Sequence, residues 1–149
     1  MIARFVHAIW LGSGIFLILA AQAAFRAAPN STVAAAVVGA MLSRWHYIAL
    51  AAPLVLLALE WRRARTAVLI VIFAGVVFAA AQAMVDLRIR SIRMSSAIPM
   101  SELSRQDPVR RQFGRLHGLS MLLLLMQVIA AGVALGIEAS PPVKAPSAV

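Results

Sequence analysis

The stretch Phe5–Phe25, FVHAIWLGSGIFLILAAQAAF, decides the fold of this chain. Its strongly polar side chains are His7 and Gln22, and Arg4 and Arg26 flank it. A helix needs about 20 consecutive apolar residues to cross the hydrocarbon core of a bilayer. The stretch therefore predicts a first transmembrane helix over residues 5–26. The competing interpretation is a signal peptide cleaved near residues 21–23, and the length of the apolar run and His7 argue against it.

The composition of the whole chain agrees with a membrane location. Of its 149 residues 62% are hydrophobic and 13% are charged, and the mean hydropathy is +0.90. Soluble domains are about 45–50% apolar and about 25% charged. The composition therefore excludes a disordered chain and argues against a soluble enzyme. Because the chain has no cysteine, disulfides, thiolate metal ligands and thiol nucleophiles are excluded as well.

Three further apolar runs predict helices over residues 44–61, 66–86 and 111–137. Residues 32–43 predict an interfacial helix or an extension of the second helix, and Trp45 and Trp61 resemble the two interfacial anchors of that span. Asp107 followed by Pro108 is typical of a helix start. The predicted fold class is all-α, an integral membrane four-helix bundle with a single domain over residues 1–138. A flexible proline-rich tail is predicted for 139–149.

The basic residues predict the orientation of this bundle. The net charge of +9 comes from 14 basic and five acidic residues, and the arginines cluster between apolar runs. This pattern is typical of membrane-protein loops, so the predicted partner is the lipid bilayer and no nucleic acid. Four spans place five basic residues on the side of the termini and nine on the other side. The predicted location is a bacterial cytoplasmic membrane, and the positive-inside rule predicts a cytoplasmic loop 87–110 and external termini, although Arg4 argues the other way.

Polar side chains within the spans predict a shared interior, because lipid cannot satisfy them. His7 and Glu60 fall toward the terminal side, and Gln127 falls nearer the middle. The predicted polar interior cluster, on the side of the long loop, consists of Gln22, Arg44, His46, Gln82, Asp86, Arg90, Arg115, His117 and Ser120. One interpretation is structural, with Asp86 paired to Arg90 or Arg115 and with hydrogen bonds between helices that fix the packing.

A second interpretation of the cluster is a cofactor site. His46 and His117 each lie two residues after an arginine, and two imidazoles on facing helices can ligate a haem iron. Arg44 and Arg115 could then hold the haem propionates. The alternative cofactor is therefore haem b, although no cofactor is the primary prediction. The methionines are compatible with a copper site, so the identity of any bound metal is unknown. A proton relay through His46, Asp86 and His117 is a further alternative.

Three segments resemble one known family. They are Phe5–Ala8 with Phe25–Pro29, Arg44–Tyr47, and Arg111–Ser120, whose sequence RQFGRLHGLS contains a Phe-x-x-x-His-Gly-x-Ser pattern. In these segments the chain resembles the transmembrane protein 205-like proteins. The resemblance implies a four-helix membrane fold and assigns little chemistry. The apolar run Met121–Leu125 departs from the family, in which an asparagine often follows the serine.

The sequence leaves two classes of function open. No HExxH, P-loop, GxSxG or GxGxxG motif occurs, which favours a protein that is not an enzyme without deciding the question. The first class is a structural or accessory membrane component, or one related to transport, with a polar interior. The alternative is a haem- or metal-binding membrane protein that uses His46 and His117. A homo-oligomer or a membrane partner protein is compatible with both classes.

Overall fold

Four helices form the structure of this protein, a computed structural model that describes residues 2–62 and 64–140. They are α1 (Ile2–Ala27), α2 (Ser31–Glu60), α3 (Thr66–Ser95) and α4 (Pro108–Ala139), and the described residues contain no strand. Each helix is long and apolar enough to cross a membrane. The predicted all-α membrane bundle is confirmed. Of the predicted tail, residues 141–149 lie outside the described part of the chain.

The helices are arranged as a ring of four neighbours. The packed pairs are α1 with α2, α2 with α3, α3 with α4, and α1 with α4, so α1 faces α3 and α2 faces α4 across the ring. Short turns or one loop join successive helices, which makes neighbours antiparallel. We call the end where α1 begins and α4 ends the terminal end. The other end, which carries the turn at 28–30 and the loop at 96–107, is the loop end.

The helix boundaries follow local chemistry. Asn30 caps α2 by accepting a hydrogen bond from the backbone N–H of Val33 at 2.9 Å. Asp107 caps α4 in the same way, and Pro108 occupies its first turn, as the sequence predicts. Residues 32–43 extend the second helix, because α2 runs without a break through Pro53. Much of the predicted loop 87–110 is helical, since α3 continues to Ser95 and α4 begins at Pro108.

The larger apolar core lies toward the terminal end and is called the Trp10 core. Its buried members are Trp10, Ala52, Leu56, Val68, Ile72, Ala130, Ala131 and Ala134. Alanines let the helices approach, and the indole of Trp10 fills the space between α1 and the helix that it faces, α3. A Cβ atom at Gly75 of α3 would lie 2.6 Å from Cζ2 of this indole. Gly75 is therefore the residue that makes room for Trp10.

A smaller core lies closer to the loop end and surrounds Trp45. Leu17, Ala49, Ala79 and Leu124 complete it, so that each helix contributes one or two side chains. The exposed fraction of Trp45 is only 4%, whereas that of Trp61 is 70%. The prediction that Trp45 is an interfacial anchor is wrong, because its ring packs inside the bundle.

Candidate functional site

A polar contact at the terminal end joins α1 to α4. Nε2 of His7 lies 3.0 Å from Oε1 of Glu138, the imidazole is fully buried, and the carboxylate is largely buried. A carboxylate can only accept a hydrogen bond, so Nε2 is the nitrogen that carries the proton. Nδ1 of His7 is buried and has no hydrogen-bond partner among the described residues. Within the described residues the imidazole of His7 therefore makes one hydrogen bond, which Nε2 donates to Glu138.

A second polar contact joins α1 to α2. Nε1 of Trp45 donates a hydrogen bond to Oγ of Ser13 at 3.2 Å, and this hydroxyl donates in turn to the carbonyl oxygen of Trp10 at 3.2 Å. The contact explains how an indole N–H is accommodated inside an apolar bundle. It also fixes the depth of α2 relative to α1.

The third polar contact joins α2 to α3. Nδ1 of His46 donates to the carbonyl oxygen of Leu42 at 2.6 Å, which is one helical turn away. Nε2 of the same ring lies 3.1 Å from Oδ2 of Asp86, and both side chains are about 15% exposed. The contact brings an imidazole close to a carboxylate, but Nε2 and Oδ2 have no hydrogen-bond partner within the described residues, so it is a close polar contact rather than a hydrogen bond.

The fourth polar contact joins α3 to α4 in the middle of the bundle. Nε2 of Gln127 donates to Oε1 of Gln82 at 2.6 Å and to the carbonyl oxygen of Leu123 at 3.2 Å. Nε2 of Gln82 reaches Oγ of Ser120 at 3.5 Å. Gln82, Ser120 and Gln127 are all buried. A neutral chain of amides and a hydroxyl can fix helix register, but it has no group that titrates near neutral pH.

These four contacts share one feature, which is that each joins a different pair of neighbouring helices. The ring of four helices is thus linked by polar side chains at every interface. Interhelical hydrogen bonds in membrane bundles are worth about 0.6 kcal/mol on average, and up to about 1.7 kcal/mol. Their energies are modest, but each can be formed in only one register of its helix pair. The arrangement can therefore specify how the helices pack.

The structure divides the nine residues of the predicted cluster. Gln82 and Ser120 are buried together, and His46 and Asp86 form the largely buried contact between α2 and α3. The other five are exposed on the outside of the bundle: Gln22, Arg44, Arg90, Arg115 and His117. In residues 2–62 and 64–140 both ion-pair contacts join a histidine to a carboxylate. Asp86 therefore contacts His46, and neither Arg90 nor Arg115 is its partner.

The two candidate haem ligands have different surroundings. His46 is engaged by Leu42 and Asp86, whereas the ring of His117 stacks on Phe113 with the ring planes 4° apart and the centroids 6.0 Å apart. The two histidines lie on α2 and α4, which face each other across the ring. Among the described residues no group of three or more His, Asp and Glu side chains is placed to hold a metal ion.

A cleft of about 640 Å³ opens at the loop end. It lies between the end of α1, the start of α2, the end of α3, the following loop and the start of α4. Its walls combine apolar side chains with Arg93, Arg110 and His117, and the described residues that line it include no carboxylate. The other lining residues are Phe25, Ser31, Thr32, Ala35, Ser96, Ala97, Ile98, Pro99, Met100, Ser101, Phe113 and Gly114.

Some of the site residues are absent from the predicted cluster. His7 and Glu138 form the terminal contact, Gln127 completes the central one, and Trp45 reaches Ser13. The topology of the bundle could have predicted the contact between His7 and Glu138. In an up-and-down bundle of four helices, residues near the start of the first helix and the end of the last share one end. No comparable signal in the sequence pairs Trp45 with Ser13.

Comparisons with known proteins do not narrow the function. No family model, no curated protein and no solved structure matches the chain. The resemblance to transmembrane protein 205-like proteins therefore stays a prediction.

Proposed function

We propose that this integral membrane protein is a structural or accessory component of the bacterial cytoplasmic membrane, and not an enzyme. The observation that carries this proposal is the polar linkage of all four helix interfaces. Lipid tails are as apolar as leucine, so apolar burial does not select one arrangement of helices inside a membrane. Close packing and polar contacts must do so. The interior polar side chains of this chain serve that purpose and give the bundle one defined shape.

The distribution of the polar contacts favours a structural role over ion conduction. Trp10 lies one turn beyond His7 on α1, and the apolar Trp10 core fills the interior there. Further along, Gly14 approaches Val128, the neighbour of Gln127. The terminal contact is thus separated by apolar side chains from the contacts near the middle and the loop end. A conducted proton would need a chain of polar groups or water through this region.

We also propose the orientation and relationships of the chain. The loop end, with nine of the 14 basic residues, faces the cytoplasm, and the termini lie outside. The chain is a relative of the transmembrane protein 205-like proteins. Its shape is presented to the surrounding lipid, to a second copy or to a membrane partner protein. The exposed apolar side chains along all four helices support such contacts as well as lipid exposure.

Substitution of the two histidines tests this proposal against haem b bound by His46 and His117. The free energy of unfolding in detergent and the visible absorption spectrum are measured for the wild-type protein, His46→Ala and His117→Ala. A structural role predicts that His46→Ala lowers the unfolding free energy by about 1–3 kcal/mol, because Asp86 loses its partner. The exposed His117 should change it by less than about 0.5 kcal/mol. A haem protein would instead show a Soret band that both substitutions abolish.

A double-mutant cycle gives the control for this experiment. The effects of His46→Ala and Asp86→Ala should not add, because each one removes the same contact. The coupling between His117→Ala and Asp86→Ala should be close to zero. Additive effects at His46 and Asp86 would overturn the structural role of this contact, and a Soret band lost in both histidine variants would establish the haem alternative.

A further inference from the structure

The cleft at the loop end has the chemistry of an anion site. Arg93 and Arg110 line it, and no carboxylate among the described residues does. The loop end as a whole carries nine arginines against Asp86, Glu102 and Asp107. Of these acids, Asp86 contacts His46, and the carboxylate of Asp107 accepts backbone hydrogen bonds at the start of α4. The uncompensated positive charge is therefore concentrated at the end where the cleft opens.

The guanidinium group of Arg110 is held in place by the protein, and that of Arg93 lies beside α2. Nη1 of Arg110 donates to the carbonyl oxygens of Leu103 and Ser101, which fixes the side chain against the loop. Its Nε and Nη2 atoms make no hydrogen bond within the described residues. Nη1 of Arg93 lies near α2, at 3.8 Å from the position of a Cβ at Gly39. Guanidinium groups are planar donors that bind phosphate oxygens with paired hydrogen bonds.

The rest of the cleft is apolar and open to the outside of the bundle. Phe25 and Ile98 are about half exposed, and Phe113 and Pro99 continue this surface. A small hydrophilic anion would leave these side chains uncovered. A ligand that carries a phosphate beside an acyl chain would satisfy both the guanidinium groups and the apolar wall. Such a ligand is abundant at the surface of a bacterial membrane, where the ends of the helices lie.

We propose that this cleft binds the headgroup of an anionic phospholipid, with the phosphate between Arg93 and Arg110 and the glycerol and upper acyl chain against the apolar wall. The site is distinct from the polar contacts inside the bundle. It therefore stands or falls independently of their structural role. Through this site the cluster of arginines binds one specific headgroup, in addition to attracting anionic lipid in general.

Lipid competition on the full-length protein tests the site. The protein in detergent micelles, in 0.15 M salt, is given equal amounts of dioleoyl phosphatidylglycerol and dioleoyl phosphatidylcholine, and native mass spectrometry counts the lipid that stays bound. Both lipids carry the phosphate, but the choline cation of phosphatidylcholine is repelled by the two guanidinium groups, so we expect phosphatidylglycerol to be retained about tenfold better than phosphatidylcholine. Arg93→Gln combined with Arg110→Gln should remove this preference. Equal retention of the two lipids by the wild-type protein would overturn the proposal.

Matched variants separate the cleft from the general charge of the loop end. Arg88→Gln with Arg111→Gln removes the same charge from exposed arginines outside the lining and should keep the preference. A Cβ at Gly114 meets no atom within 4 Å, so Gly114→Phe can fill the cleft while every arginine remains, and it should lower retention severalfold. Equal loss in the two double variants, or full retention in Gly114→Phe, would contradict a site in the cleft.

A final arm distinguishes a lipid from a free phosphate. Inorganic phosphate and glycerol 3-phosphate at 5–10 mM, about the range used for weak anion competition, should leave the bound phosphatidylglycerol in place. Its retention under these conditions shows that the acyl chain contributes to binding. Displacement by either small anion would mean that the cleft binds a soluble phosphate compound, and this result would overturn the assignment to a lipid.

Discussion

At the terminal end the indole of Trp10 fills the space between the helices, whereas at the loop end Phe113 and His117 border an open cleft. The two ends belong to the same four helices, and the difference lies in their side chains. Alanine and glycine near Trp10 permit close approach of the helices. Arginine is frequent at the loop end, where desolvation of guanidinium groups would oppose such closure. The comparison shows that one bundle can combine a packed half with a half that opens into a cleft at its end.

The largest effect is expected from removal of the central side chain of the packed half. Trp10→Ala should lower the free energy of unfolding by about 3–5 kcal/mol, because a buried indole leaves a cavity. Trp61→Ala is the matched control, since Trp61 is 70% exposed, and it should cost less than about 0.5 kcal/mol. Unfolding in mixed micelles, followed by far-ultraviolet circular dichroism, measures both. Similar losses in the two variants would show that the terminal end is no better packed than the surface.

A smaller effect is expected from one added methyl group, which should act in opposite directions at the two ends. Gly75→Ala places a Cβ against the indole of Trp10 and should cost about 1–3 kcal/mol. Gly114→Ala at the cleft meets no neighbour and should stabilise α4 by up to about 1 kcal/mol through helix propensity. The same unfolding measurement decides the result. A neutral Gly75→Ala would mean that the Trp10 ring can move aside and that the packed half is looser than described.

The smallest effect is expected at the boundary between the two halves. Gln127→Leu removes the hydrogen bond to Gln82 and should lower the free energy of unfolding by about 1 kcal/mol. Gln22→Leu is the control, because Gln22 is exposed on α1, and it should have almost no effect. If the Gln22 variant were the more damaging of the two, Gln22 would have an interior partner and the division of the polar residues would be wrong.

Much of the fold could be predicted because it depends on local properties of the chain. Long apolar runs identify the four helices, and Asp107 with Pro108 identifies the start of the last one. Such signals need no knowledge of neighbours in space, since helix formation and capping involve residues within about one turn. The polar contacts are less predictable, because helical spacing shows which residues share a face and not which helix that face meets.

Trp45 and His46 illustrate this limit. Adjacent in the sequence, they serve different interfaces, since the indole reaches Ser13 on α1 and the imidazole reaches Asp86 on α3. The expected arginine partners of Asp86 lie at the exposed surface. The long side chain of an arginine near a helix end can extend to water. The imidazole of His46 is turned toward the bundle and cannot, which explains why His46 is the partner of Asp86 in the interior.

The sequence by itself determined a four-helix membrane protein with its positive charge at the loop end, because composition, helix length and capping are properties of contiguous residues. Only the tertiary structure decided that the polar side chains link all four neighbouring interfaces, that Trp10 fills a space left by Gly75, and that Arg93 and Arg110 border one cleft. These features join residues far apart in the chain. Their formation depends on the rotation and depth of each helix against its neighbours, which close packing and interhelical hydrogen bonds fix together.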